Sequence, residues 1–426
     1  MSTPSTSTDT GAAPTRGRHA AEGPSWVTML LRRFFNPSTS TIAGAILVAL
    51  VIGALVVAFF DPRVQETAGY FFARPSDFLA AFWNSFSGFF ISLVRGALYD
   101  WTQPDFMTAI RPLTDTMTRS VPLIIAGLAI AVSFTAGMFN IGVQGQLMMG
   151  AALGGFIGFH YHLPPVAHMI LAILGALIGG ALWGFIPGIL RAKLQANEVI
   201  VTIMLNSVAS LFLGWLLNLQ LFYGEGGYPS KSQRTLATAQ YPQILGPNFR
   251  LHLGFIIALL AAVFVWWLLK RSTLGFELRA AGANPQAART AGINVPRTLM
   301  MTLVISGALA GLAATAPVLG TEKVVTNSVA GSYGFDAITV ALLGKSTPFG
   351  VVLAGLLFGG LAAAGSVMQA SKAQIPVDIV QITQAVIVLL IAASEAIRMR
   401  REKLAADAAS NARTAKAAAS KEGEQA

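Results

Sequence analysis

The sequence predicts an all-α polytopic membrane bundle of about ten transmembrane spans, one of them short or re-entrant. Of its 426 residues, 54% are hydrophobic and only 11% charged, against about a quarter charged in soluble domains. Apolar runs recur from Thr41 to the end of the 390s, each close to the roughly 20 residues that a helix needs to cross about 30 Å of hydrocarbon. The runs are continuous rather than alternating, which excludes the closed β-barrel, the other structure whose backbone is satisfied in lipid.

Residues 1–25 are rich in Ser, Thr, Pro and Gly, and 404–426 is a mixture of Ala, Lys and Glu. Both segments lack the large apolar residues that order a chain and read as disordered cytoplasmic tails around a transmembrane domain, 26–403. The N-terminus has no apolar core of a cleavable signal, and 41–60 is a full span with no A-x-A site at its end. Long spans follow at 119–140, 143–160, 166–190, 198–219, 251–270, 298–319, 348–367 and 376–397. A short apolar piece, 335–343, precedes Lys345 and reads as a short span or a re-entrant segment. Counting it gives ten crossings with both termini cytoplasmic, whereas nine would place the C-terminal arginines outside. Residues 78–98 are aromatic-rich but interrupted by Asn84, Ser85, Ser87 and Arg95, which predicts an interfacial helix on the outer face. The Gly- and Pro-rich 220–250 reads as a loop over the outer mouth.

The formal net charge of +10 is explained by position. Arg32 and Arg33, Arg191 and Lys193, Lys270 and Arg271, and Arg398, Arg400, Arg401 and Lys403 flank spans, as the positive-inside rule requires. No interleaving of aromatic and basic residues points to nucleic acid. The absence of cysteine removes disulfides, iron–sulfur clusters and thiol catalysis. His160, His162 and His168 cluster with no carboxylate to complete a metal set. Gly344, Lys345 and Ser346 look like the end of a P-loop, but its first glycine falls at Thr339 and no strand precedes it.

Glycines recur at four-residue spacing: Gly150, Gly154 and Gly158; Gly180, Gly184 and Gly188; Gly307 and Gly311; Gly355 and Gly359. Such stripes let helix backbones approach closely and predict a tightly packed bundle. Uncharged polar groups at membrane depth, Asn140, Gln144, Gln146, Asn206, Ser207, Ser306, Gln381 and Gln384, either line a solute path or make interhelical hydrogen bonds. Glu198, Asp336, Asp378 and Glu395 lie near span ends. Few acids or bases sit mid-membrane, which argues against a proton-driven transporter or a channel with an acidic ring.

Between two spans lies KRSTLGFELRAAGANPQAARTAGINVPR, 270–297, with five Lys or Arg residues. Asn284 suits an N-cap, Pro285 the first helical position and Gly292 the position after the last turn, which predicts a helix from about 285 to 291. This segment either receives a partner protein or lies as a capped helix on the membrane surface.

Five blocks in order carry a resemblance: PLIIAGLAIAVSFTAGMFNIGVQGQLMMGA (122–151), ANEVIVTIMLN (196–206), LRAAGANPQAARTAGI (278–293), YGFDAITVALLGKSTPFGV (333–351) and PVDIVQITQAVIVL (376–389). Over 119–397 the chain resembles the permease subunits of bacterial ABC importers in the branched-chain amino acid, ribose and nucleoside group, nearest to the nucleoside and simple-sugar permeases. The resemblance implies a non-enzymatic subunit of the bacterial inner membrane with no cofactor of its own. ATP and Mg would belong to a cytoplasmic ATPase pair that grips Arg279, Gly282, Ala283, Asn284, Pro285, Arg289 and Gly292. It further implies a second permease, usually a related but different chain, and an external solute-binding lipoprotein. Gln144 stands where the family usually has Glu, so a charge-based role there does not carry over, although an amide still donates to and accepts from a neutral solute. A nucleoside is the implied solute, a simple sugar next and a branched-chain amino acid third. A stand-alone channel or secondary transporter, and a membrane-embedded enzyme, are the competing classes.

Overall fold

The computed structural model describes residues 37–370 and, beyond them, positions 381, 382, 384–386, 389, 390, 393, 400 and 404. The tails read at 1–25 and 404–426 and the span read at 376–397 lie outside the described residues except at those positions. Two units separate: Met1–Gly44, of which only the start of a helix is described, and Ala45–Ala426, which holds the bundle. Inner and outer ends follow the orientation that the basic residues predict.

Helix α1 spans Pro37–Phe60, and the chain then bends by 62° into α2, Pro62–Ala68. The bend is built by Asp61, whose carboxylate accepts the Arg63 N–H at 2.9 Å, and by Pro62, which needs no N–H partner in a first turn. Helices α3 (Pro75–Ala97), α4 (Arg111–Thr135), α5 (Val143–His160), α6 (Pro165–Leu194) and α7 (Glu198–Leu217) follow. Next come α8 (Gly254–Arg271), α9 (Thr273–Ala283), α10 (Pro285–Thr290) and α11 (Val295–Thr315), which runs on as a π turn over Ala316–Thr321. Helices α12 (Tyr333–Leu343) and α13 (Pro348–Ala370) end the described bundle. Pairing between extended segments among the described residues is limited to two isolated bridges.

Helix α4 is the axis of the bundle. Within its apolar stretch 83% of residues are buried, against 17% in α7, so α4 is enclosed by the chain while most of α7 is left uncovered by it. The glycine stripes make this packing possible. A Cβ on Gly180 of α6 would collide with the Gly307 carbonyl of α11, one on Gly311 with the Ala176 carbonyl, and one on Gly150 of α5 with Gly311. Helices α5, α6 and α11 therefore meet backbone to backbone, where dispersion contacts replace the hydrophobic drive that lipid removes.

The span count differs from ten. Among the described residues seven helices are long and apolar enough to cross a membrane, or eight when α1 and α2 count as one bent span. Helix α5, read as a span, carries Gln144, Gln146 and His160 and falls short on apolarity, although it lies inside the bundle. Residues 78–98 are not too polar to cross: Pro75–Ala97 meets the test. Ser87 Oγ donates to the Trp83 carbonyl at 2.7 Å within the helix, Ser85 Oγ is buried with no partner among the described residues, and Arg95 pairs with Asp100 at 2.9 Å beyond its end.

The short piece read at 335–343 is α12, the first arm of a hairpin whose second arm is α13. The Tyr333 end of α12 shares a cavity with Asp115, Thr118 and Arg119 on the outer half of α4, and Val340 packs on Gly127. The chain turns at 344–347 and returns, with Val351 again on Gly127, Gly355 on Ile124 and Gly359 on Thr116 and Ser120. Lys345 and Ser346 both have φ of +51°, a left-handed conformation that costs a non-glycine residue on the order of 1 kcal/mol or more. Thr347 Oγ1 closes the turn by accepting the Gly350 N–H at 3.3 Å.

Candidate functional site

Between α4 and α5 the helical backbone stops for residues 136–142. Gly137, with φ of +70°, permits the reversal. Backbone groups freed here need partners, since water is not at hand. The amides supply them. Asn140 Nδ2 donates to Gln146 Oε1 at 2.9 Å and to Ser306 Oγ at 2.8 Å, while its Oδ1 accepts the Gly142 N–H at 3.0 Å. Ser306 Oγ donates in turn to the Ala129 carbonyl at 2.8 Å. Asn206 of α7 accepts the Gly145 N–H at 2.9 Å and donates to the Ile141 carbonyl at 2.9 Å. Gln144 reaches the hairpin, donating to the Gly331 carbonyl at 2.7 Å and accepting the Gly334 N–H at 2.9 Å. Asn140, Gln144, Gln146 and Ser306 are buried. Five of the residues read as path candidates thus form one knot that ties α4, α5, α7, α11 and α12 together. Gln381 and Gln384 are helical, the first exposed and the second half-buried, and Ser207 is exposed on α7.

The segment 270–297 forms two helices rather than one. Ser272 caps α9 by accepting the Gly275 N–H at 2.9 Å. Asn284 caps α10 by accepting from Gln286 and Ala287 at 3.0 and 3.1 Å, Pro285 opens it, and Gly292 with φ of +86° closes it. Ala288 is buried with Ala281 and Val295, which fixes the corner to the chain, while Ala283, Asn284, Pro285 and Arg289 are exposed. Gly282 lies directly on the backbone at the inner end of α4: a Cβ there would collide with the Thr135 carbonyl and approach Gly137 N to 2.9 Å. Arg279 Nη1 is buried with no hydrogen-bond partner among the described residues.

At the outer end the structure assembles charges that the sequence reading passed over. Arg111, Asp115 and Arg119 share one face of α4. Two cavities, of about 110 and 440 Å³, have Asp115, Arg119 and Arg250 in common. The smaller also meets Glu322 after the π turn and Tyr333 at the head of α12. Arg111 closes the larger one by donating to the Asn248 carbonyl at 3.0 Å. The four-residue spacing of Arg111, Asp115 and Arg119 was a legible signal of one polar helix face. Nearby, His252 is 1% exposed and stacks on Tyr241, with centroids 5.5 Å apart. Burial, with the Lys323 charge adding to it, pushes the imidazole down to about 4. Its Nδ1 accepts the Gly254 N–H at 3.1 Å, so Nε2 carries the proton, and that atom has no partner among the described residues.

Among the described residues no group of three His, Cys, Asp or Glu is arranged to hold a metal. His168 bonds Thr238 and the Ile157 carbonyl at 2.7 and 2.9 Å, and Glu198 pairs with Arg191 at 3.3 Å.

Residues 113–393 match the family described as branched-chain amino acid transport system / permease component. The guanosine ABC transporter permease protein NupP of Bacillus subtilis (strain 168) is 40% identical over 291 residues, covering 68% of this chain and 83% of that protein. The glucose ABC transporter permease protein TsgB13 of Haloferax volcanii is 36% identical over 308 residues, 70% of this chain and 80% of that protein. The nucleoside ABC transporter permease protein NupB of Lactococcus lactis subsp. cremoris is 35% identical over 342 residues, 76% of this chain and 92% of that protein. No solved structure gives a significant match.

Proposed function

The chain belongs to the branched-chain amino acid transport system permease family, and on that premise we propose that it forms the translocation path of an ATP-driven importer for nucleosides. The observation that carries the solute class is the 40% identity to a guanosine permease over most of both chains. A simple sugar is the second reading, favoured by the 36% identity to a glucose permease.

In this proposal ATP and Mg reside on a partner ATPase pair, a second permease completes the path, an external lipoprotein delivers solute, and both termini face the cytoplasm. The corner of α9 and α10, with Arg279 half-buried and Ala283, Asn284, Pro285, Arg289 and Gly292 exposed, receives the ATPase. Gly282 transmits its movement, because the backbone contact with 135–137 leaves no compressible side chain between the corner and the break in α4. Asn140 lies in that break, so displacement of the corner moves the knot. The proposed opening keeps the hydrogen bonds of the knot, so that Asn140, Gln144, Gln146, Asn206 and Ser306 hold the helices that frame the path while Gln381 and Gln384 meet solute. Amides suit a neutral nucleoside, whose base and ribose both donate and accept.

The test is uptake of radiolabelled guanosine into proteoliposomes containing this chain, its partner permease, the ATPase and the binding lipoprotein, with and without enclosed ATP. Uptake that requires both ATP and the lipoprotein is expected. Uptake without ATP would replace the importer by a channel or secondary transporter. Glucose uptake without guanosine uptake would move the solute class to sugars.

A further inference from the structure

Helix α12 has two unlike faces. Gly334, Ala337, Val340 and Ala341 are buried against the bundle. On the other side Ser332 and Lys345 are exposed and Asp336 and Thr339 half-buried, interspersed with Phe335 and Leu342, which are 52% and 45% exposed. Ser332, Asp336 and Thr339 follow helical spacing, so these groups belong to one face. Among the described residues Lys345 makes no ion pair, and the hydrogen bond of Asp336 comes from Ser332 at 2.6 Å.

The depth of this face decides what can cover it. Val340 packs on Gly127, which stands about 12 Å from Thr135 and about 24 Å from Arg111 at the helical rise of 1.5 Å per residue. Thr339, beside Val340, and Asp336 and Lys345, about a turn to either side, do not face hydrocarbon there without a large penalty, while Ser332 stands nearer the outer cavity. The irregular backbone of 327–332 that leads into α12 carries the same demand, since such backbone occurs at membrane depth where protein buries it or water reaches it. The outer cavity lined by Asp115, Arg119, Glu322 and Tyr333 reaches the head of this helix at Tyr333, next to Ser332 in the chain.

We propose that the uncovered face of α12, with Ser332, Asp336, Thr339 and Lys345 at the hairpin tip, lines the water-filled path of the transporter. This rests on the permease reading above. The face then alternates hydroxyl, carboxyl and ammonium groups with an aromatic ring, a surface matched to a solute with a polar sugar and a flat base.

The chain has no cysteine, so single thiols can be placed without removing native ones. Ser332→Cys and Thr339→Cys are compared with Leu211→Cys on the exposed apolar side of α7, in open membrane fragments holding the complete transporter, by their reaction rates with a small cationic methanethiosulfonate. Because the thiolate is the reactive form and forms in water, the two α12 thiols are expected to react roughly tenfold or more faster than the lipid-side thiol. A variant that fails to assemble with the ATPase is set aside, and the other position decides. Rates equal to that of Leu211→Cys, whether from lipid or from a partner permease seated on the face, would overturn the proposal. The labelling needs neither solute nor ATP, so a failure of ATP-driven uptake, which would sink the importer reading, is distinguishable from a failure here.

Discussion

The knot around Asn140, built of amides and a hydroxyl, and the open face of α12, which adds a carboxyl and an ammonium group, both hold polar side chains within the bundle and solve opposite problems. In the knot every amide finds donors and acceptors inside the chain, and Asn140 is 1% exposed. On α12 the polar groups are left uncovered by the chain that carries them. Polar residues in the bundle therefore divide by where their partners lie: those bonded across helices hold the helices together, and those left facing outward on one helix require water or solute.

The sharpest way to break this comparison is to treat both sites alike. Asn140→Leu leaves the Gly142 N–H and the Gln146 and Ser306 side chains without their partner, and thermal unfolding in detergent is expected to show a loss of about 3 kcal/mol. Ser332→Ala on α12 should change the same measurement by less than about 0.5 kcal/mol. Equal losses would erase the distinction. Next, Gly282→Leu forces the coupling corner off the end of α4. Uptake should fall roughly 5- to 150-fold while ATP hydrolysis by the complex persists, the range of a coupling loss.

His252 is the boundary case, a buried polar group with an unpartnered atom at the outer end. Its imidazole is held neutral down to about 4, below the ordinary value, so the unfolded chain binds a proton that the folded chain refuses. Stability is full above about pH 6.5 and falls as pH drops toward 4, by up to about 3 kcal/mol. Unfolding midpoints at pH 7.5 and 4.5 should differ more for the wild type than for His252→Gln. A small effect is also expected at the pair of Arg191 with Glu198, which sits at a helix turn with Arg191 about a third exposed. Glu198→Gln should cost less than about 1 kcal/mol and lose even that at high salt.

What the sequence disclosed was local. The cap and stop of α10 rest on Asn284, Pro285 and Gly292, whose chemistry is complete within a few residues, and the glycine stripes follow from helical spacing alone. The amides at 140, 144, 146 and 206 were visible as polar groups in apolar runs, but their mutual bonding was not, since Ser306 and Asn140 are brought together from distant parts of the chain. The hairpin was hidden for the same reason. Nothing local in 333–351 shows that α13 returns along Gly127 to Ser120. Helix α3 read as interfacial because Ser87 was counted as exposed polarity, although its hydroxyl bonds a carbonyl of its own helix and the helix is long and apolar enough to cross. The outer charges were missed because the span was drawn from Arg119, which cut the face that begins at Arg111.

The most direct test joins the two regions to transport. Thr339→Cys and Ser306→Cys transporters are assayed for ATP-dependent guanosine uptake before and after treatment with a hydrophilic thiol reagent. The account predicts that the reagent blocks uptake through Thr339→Cys and leaves that through Ser306→Cys unchanged. Block at Ser306→Cys with Thr339→Cys untouched would contradict it and place the path through the knot.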